Sequence, residues 1–165
     1  MHRLPARKVR IVALVMLCAT SACGFQLQGR QSLPAALTAV NIDAVDNQSE
    51  FAQSLRSALV TSGARIVEPA AADTTIVKIK KDAVTERVLT VSSRNIPTDY
   101  ELVYDVEISV SSGGKELFPA EKFSLSRVYS FDETKLLAKE REKAILVEAL
   151  ARDMASVVTR RLSSL

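Results

Sequence analysis

Chemically versatile side chains are scarce in this chain. Tryptophan is absent, histidine occurs once, at His2, and the two cysteines are Cys18 and Cys23. Beyond Gly24 there is neither imidazole nor thiol, which excludes a Ser-His-Asp triad, a Cys-His pair and any thiolate or imidazole metal site from the body of the protein. No disulfide can form there, so stability has to come from a hydrophobic core. Asp and Glu are scattered along the predicted strands and the last predicted helix with nothing to single out a catalytic pair, and a sugar-binding groove would lack its stacking Trp. The expectation is a protein that is not an enzyme and uses no metal and no cofactor.

What is present is concentrated at the start. Arg3, Arg7, Lys8 and Arg10 precede an apolar run from Ile11 to Ala19, followed by Thr20, Ser21, Ala22, Cys23 and Gly24. A basic start, a short hydrophobic stretch and small residues before a cut are the marks of a secretory signal, and the run is too short to span a bilayer as a mature helix. The segment resembles a bacterial lipobox, with Thr20 where Leu is usual, and the resemblance makes Cys23 the acylated first residue of the mature protein. Several acyl chains on one residue anchor durably, since each buried methylene contributes about 0.8 kcal/mol. By the same resemblance, Gly24 after the cysteine implies sorting to the outer membrane.

Removal of residues 1–22 changes the electrostatic reading. Four basic residues and no acidic ones leave with the segment, so 18 basic residues face 19 acidic ones in the remaining 143, a net charge of −1. The alkaline pI belongs to the signal, and general nucleic-acid binding loses its electrostatic basis. The expected organisation is a removed signal over 1–22, a lipidated tether over 23–34 and a single α+β domain over 35–165. Twelve extended residues reach at most about 40 Å, enough to hold the domain beyond the headgroups.

Within the domain, Leu37 to Asp43 reads as a strand. A helix follows, capped by Asn47 or Ser49, with Phe51, Leu55, Ala58 and Leu59 on one face and Gly63 at its end. Arg65 to Val67 is a short extended piece. Thr74 to Val91, rich in Val, Ile and Thr, predicts a long strand with a bulge near Asp82 and Ala83. Tyr100, Leu102, Tyr104, Val106, Ile108 and Val110 alternate with polar residues, which predicts a strand with one buried and one wet face. Gly113-Gly114 marks a hairpin, and Phe123, Leu125, Tyr129 and Phe131 share the parity of a returning strand interrupted by Arg127. From Thr134 the period becomes helical, with Val147, Leu150, Ala151, Met154, Val158 and Leu162 in one stripe. The fold class expected is α+β, a mixed, mainly antiparallel sheet of four or five strands packed against two helices. That is too few strands for a transmembrane barrel of its own.

Certain residues in succession resemble the family of LPS-assembly lipoproteins called LptE: Cys23 to Leu27, Arg94-Asn95 ahead of Tyr100, Arg127 through Tyr129, Phe131 and Asp132, and Leu137 to Glu140 opening the last helix. The resemblance implies a domain that plugs and helps assemble the LptD outer-membrane β-barrel, as a hetero-complex of 1:1 stoichiometry. It also implies binding of lipopolysaccharide on its way to the outer leaflet. Arg94 and Lys139 take the positions associated with lipopolysaccharide, Arg127 and Tyr129 are candidate barrel contacts, and Lys78, Lys80 and Arg87 are weaker additions. The opposing reading pairs Lys139 with Glu142 on the helix surface, leaves Arg94 an ordinary loop charge and puts the strand aromatics in the core. The alternative function is a periplasm-facing outer-membrane lipoprotein with another binding or structural role.

Overall fold

The computed structural model describes residues 33–71, 74–130 and 136–165, with side chains from Lys139 onward in the last of these. The signal, Cys23, most of the tether and Phe131 lie outside the described residues. A 3-10 turn at Ala35–Leu37 leads into β1 (Ala39–Ala44), followed by α1 (Glu50–Thr61), β2 (Arg65–Ile66), β3 (Thr75–Val91), β4 (Pro97–Ser112), β5 (Lys115–Ser130) and α2 (Leu136–Leu162). The sheet order is β2-β1-β3-β4-β5. β1 is parallel to both β2 and β3, whereas β3, β4 and β5 are antiparallel, which is the mixed α+β sheet expected.

Local chemistry accounts for each element. The Ser49 hydroxyl accepts from the Ala52 amide at 3.1 Å and so caps α1. Gly63, at φ +101, takes the left-handed conformation that ends the helix and lets the chain turn back into β2. In β4 the inward residues Leu102, Tyr104, Val106, Ile108 and Val110 are all buried, the period-two pattern of a sheet covered on one side. Phe51, Leu55 and Leu59 of α1 and Leu150, Met154, Val158 and Leu162 of α2 meet that face in one core.

Two irregularities depart from the sequence reading. The pairing of β3 with β4 shifts between Ile79 and Lys81, so the bulge lies at Lys80 rather than at Asp82-Ala83. It sits there because it turns Lys80 and Lys81 both outward while returning Asp82 to the helix side, where that carboxylate has partners. In β5, Val110 pairs with Phe118 but Ile108 with Glu121, so an extra residue is accommodated around Pro119, where a missing N–H is tolerated. Phe118 therefore joins Phe123 and Leu125 on the inner face despite opposite parity in sequence.

The strands are of very unequal length. β3, β4 and β5 have 16 or 17 residues each and run about 55 Å if fully extended, whereas β1 has six. Register between β1 and β3 ends at Ala44 opposite Ile79. From there the sheet continues as a three-stranded ribbon under α2, with the start of α1 reaching it at Asp82 and Tyr104.

Candidate functional site

The far end of the ribbon gathers the residues singled out in the sequence. β3 turns into β4 through Ser92–Ile96, where the Ser92 amide donates to the Ile96 carbonyl at 2.8 Å and the Ser92 hydroxyl accepts from the Ile96 amide at 3.2 Å. Asn95 closes the turn at φ 59, a left-handed position that Asn tolerates better than most residues. This puts Arg94 at the apex, exposed and without an ion-pair partner among the described residues. β5 ends and α2 begins at the same end of the sheet, which brings Lys139 there too. Its ammonium meets Glu142 at 2.6 Å and its side chain is only 17% exposed.

Below the apex a network joins the sheet to the helix. Tyr100 and Tyr129 are cross-strand partners whose rings stack at 5.8 Å. The Tyr129 hydroxyl donates to Glu86 of β3 at 3.1 Å, and Lys143 of α2 pairs with the same carboxylate. Burial, reinforced by the Glu86 carboxylate, pushes the Tyr129 hydroxyl up to about 12, and the hydrogen bond to Glu86 raises Lys143. Both groups therefore keep their protons through the physiological range. Glu86, Lys143 and Tyr100 carry no local signature of this role, because their partners are distant in the chain, 43 residues apart in the case of Tyr129 and Glu86.

Of the two candidate barrel contacts, the structure separates one from the other. Tyr129 is 7% exposed, with ring and hydroxyl both engaged within the chain, the sheet-core placement of the opposing reading. Arg127 lies on the helix side opposite Leu102, and it stays wet because its guanidinium reaches out to Asp153 of α2 at 2.6 Å. That ion pair explains the charge that interrupts the apolar parity of β5.

The opposite sheet face is a ladder of compensated charge. Arg87 pairs with Glu101 at 2.6 Å, Lys81 with Asp105 at 3.0 Å, Lys122 with Glu107 at 3.9 Å and Lys78 with Asp43 at 3.2 Å. Lys78 and Arg87, weaker candidates for an anionic ligand, are thus engaged, while Lys80 has no ion pair among the described residues. Hydrogen bonds from Ser126 and Arg87 hold the Glu101 carboxyl below its ordinary range, and Ser124 and Lys81 do the same for Asp105. Among the described residues no group of three or more Asp or Glu is placed to hold a metal ion, and no helix is long and apolar enough to cross a membrane.

Among the described residues, a mixed sheet with two helices on one face and a hydrated, charge-paired face on the other defines an α+β domain. Its relatives make the class specific. Residues 37–162 match the family described as LptE, lipopolysaccharide-assembly, and the chain belongs to that family. The LPS-assembly lipoprotein LptE of Pectobacterium atrosepticum is 23% identical over 162 residues, which span 98% of this chain and 85% of that protein. Among solved structures, the rare lipoprotein B of Shewanella oneidensis superposes with a TM-score of 0.67 at 25% identity, covering 76% of this chain and 94% of that one. Lipoprotein B of Nitrosomonas europaea gives 0.69 at 25% identity, covering 86% and 91%.

Proposed function

We propose that this protein is an outer-membrane lipoprotein, acylated at Cys23 after removal of residues 1–22 and tethered through residues 23–34. On this reading the 35–165 domain seats as a 1:1 partner inside an LptD-like β-barrel, helps that barrel assemble, and contacts lipopolysaccharide through Arg94 and Lys139. It acts by binding and needs no catalytic group, metal or cofactor.

The observation that carries the proposal is the family match across the whole folded domain, which gives this chain the LptE arrangement of elements. The physics of the surface supports it. A barrel wide enough to hold a domain has a polar, hydrated lumen, and the paired charges of the open sheet face suit water more than acyl chains. Arg94 at an exposed apex is free to meet phosphate, and Arg is suited to bidentate contact with such groups. Lys139, whose side chain is largely covered, joins it by turning its ammonium from Glu142 to a ligand anion, one charge-assisted contact exchanged for another. Arg127 remains a candidate barrel contact, exposed beside Asp153, whereas Tyr129 contributes by holding Glu86 in place.

Two measurements test this. Extraction of the full lipidated protein in mild detergent should recover a large β-barrel in near-equal amount, and recovery as a lone chain would refute the partnership. Arg94→Asp with Lys139→Asp should lower lipopolysaccharide binding by about tenfold or more. Unchanged binding by that double variant, with circular dichroism intact, would remove the ligand assignment and leave the partnership standing.

A further inference from the structure

The sheet has an unfilled strand position. β1 pairs with β3 only as far as Ala44 opposite Ile79, yet β3 continues to Val91 with β4 on one side and no strand on the other among the described residues. Backbone N–H and C=O groups along that stretch face outward, a ready template for another extended chain. At the point where β1 leaves, a notch of about 460 Å³ opens between Ala44–Asp46 and Ile79–Val84, in line with the vacant position. β5 also ends the sheet, but it is blunted by Pro119 and its flanking bulge, whereas β3 keeps an unbroken register with β4 from Lys81 to Val88 before shifting at Leu89.

Side chains along the β3 edge say what kind of strand fits. On the outward row stand Lys80, Lys81 and Arg87 with no acidic residue among them; Lys81 and Arg87 reach across to Asp105 and Glu101 on the same face of β4, while Lys80 has no ion pair among the described residues. On the helix-side row Asp82 and Glu86 are satisfied by Tyr104, Ser49, Tyr129 and Lys143. Between and beyond them Val84 and Val88 are 39% and 49% exposed. A second copy is a poor occupant. In a two-fold antiparallel pair, residues facing each other share a row, so every charged contact would set cation against cation outside and acid against acid inside.

We propose that the Lys81–Val91 edge of β3 docks an extended segment of a partner protein, acidic on its outward row and apolar on the row that meets Val84 and Val88. The segment adds a strand to the sheet in the position β1 vacates. If the partner is the LptD-like barrel, the segment comes from a loop or a terminal extension, because strands of a closed wall have no free edge. Only the identity of the partner rests on the proposed function; the edge does not.

The test uses the full lipidated chain in cells, with a photo-crosslinking residue at Val88, and mild-detergent extracts for hydrogen exchange. Adducts should map to an acidic, extended segment of one partner protein, and amides within Lys81–Val91 should exchange at least about tenfold more slowly in the complex than in the isolated chain. Val84→Lys with Val88→Lys, both at exposed positions, should lower partner recovery about tenfold with the fold intact. No adduct, an adduct to a second copy or to a barrel-wall strand, or undiminished recovery with the double variant overturns the proposal. If wild-type extracts hold no barrel while Val88 still links to another protein's acidic strand, the edge proposal stands and the barrel partnership falls.

Discussion

Where β1 flanks β3, the sheet is enclosed: Val40, Val77, Phe51, Leu55 and Met154 are fully buried between five strands and two helices. Past Ala44 the same β3 runs on with half-exposed Val84, Val88, Leu89 and Val91, covered mainly by α2, whose own Ile145 is 62% exposed. The enclosed half is held by apolar burial, whereas the ribbon buries Leu102, Tyr104 and Val106 of β4 but relies as well on ladders, ion pairs and the hydroxyls of Tyr104 and Tyr129. Stability is therefore concentrated at one end of the molecule, while the other end keeps an open edge, an exposed arginine and a hydrated face available for contact.

The sharpest way to break this division is to truncate one apolar side chain in each half. Phe51→Ala removes a fully buried ring from the α1 face and should cost about 3–5 kcal/mol in urea unfolding. Val88→Ala, half exposed on the ribbon, should change stability by no more than about 0.5 kcal/mol. Comparable losses from the two substitutions would mean that the ribbon is packed as tightly as the core, and the contrast would fail.

A second measurement separates the polar link nearest the ribbon's open end from its apolar surroundings. Tyr129 has its proton held in the fold to about pH 12, above the ordinary value of 10, so the folded state binds more protons than the unfolded state in between. Its contribution is fully present below pH 10 and lost as pH rises from there toward 12. Tyr129→Phe should cost about 1–2 kcal/mol at neutral pH, through the lost bond to the Glu86 carboxylate. It should also remove part of the alkaline decline, seen as a shallower fall of melting temperature between pH 10 and 12. A variant that declines as steeply as the parent would place the alkaline sensitivity elsewhere, Tyr104 being the other raised hydroxyl.

Acid acts on the opposite face with the opposite sign. Glu101 and Asp105 are held below their ordinary values by Ser126, Arg87, Ser124 and Lys81, so their contribution is present above the usual carboxylate range and lost as pH falls through the lowered values. Ser124→Ala with Ser126→Ala should flatten the acid limb of the melting curve by lowering the melting temperature at neutral pH, where these hydrogen bonds contribute, and not at low pH, where they are already lost. High salt should mimic part of that effect, because these pairs are exposed. An acid limb identical in parent and variant would show that the ladder contributes nothing to folding.

Much of the fold was legible from residue order, because its signals are local. The β4 alternation from Leu102 to Val110, the stripe of α2, the Ser49 cap and Gly63 each depend on neighbours within a few residues. The register of β5 was harder to read. Phe118 and Phe123 have opposite parity in sequence and join one face only because β5 bulges between them, and a strand's own sequence does not reveal how its partner registers. In the candidate site, Lys139–Glu142 could be anticipated from helical spacing, whereas Lys143–Glu86 and Arg127–Asp153 join segments distant in the chain.

The smallest effect comes from the enclosed half and tests how completely apolar it is. Thr159 of α2 is 4% exposed, and its hydroxyl has no hydrogen-bond partner among the described residues. A buried donor without an acceptor is a net loss, so Thr159→Val should raise stability by about 1 kcal/mol, read as a higher urea midpoint with an unchanged slope. A decrease instead would mean that the hydroxyl has a partner, an internal water being the simplest, and that the enclosed end also relies on a polar contact, which would narrow the difference between the two halves.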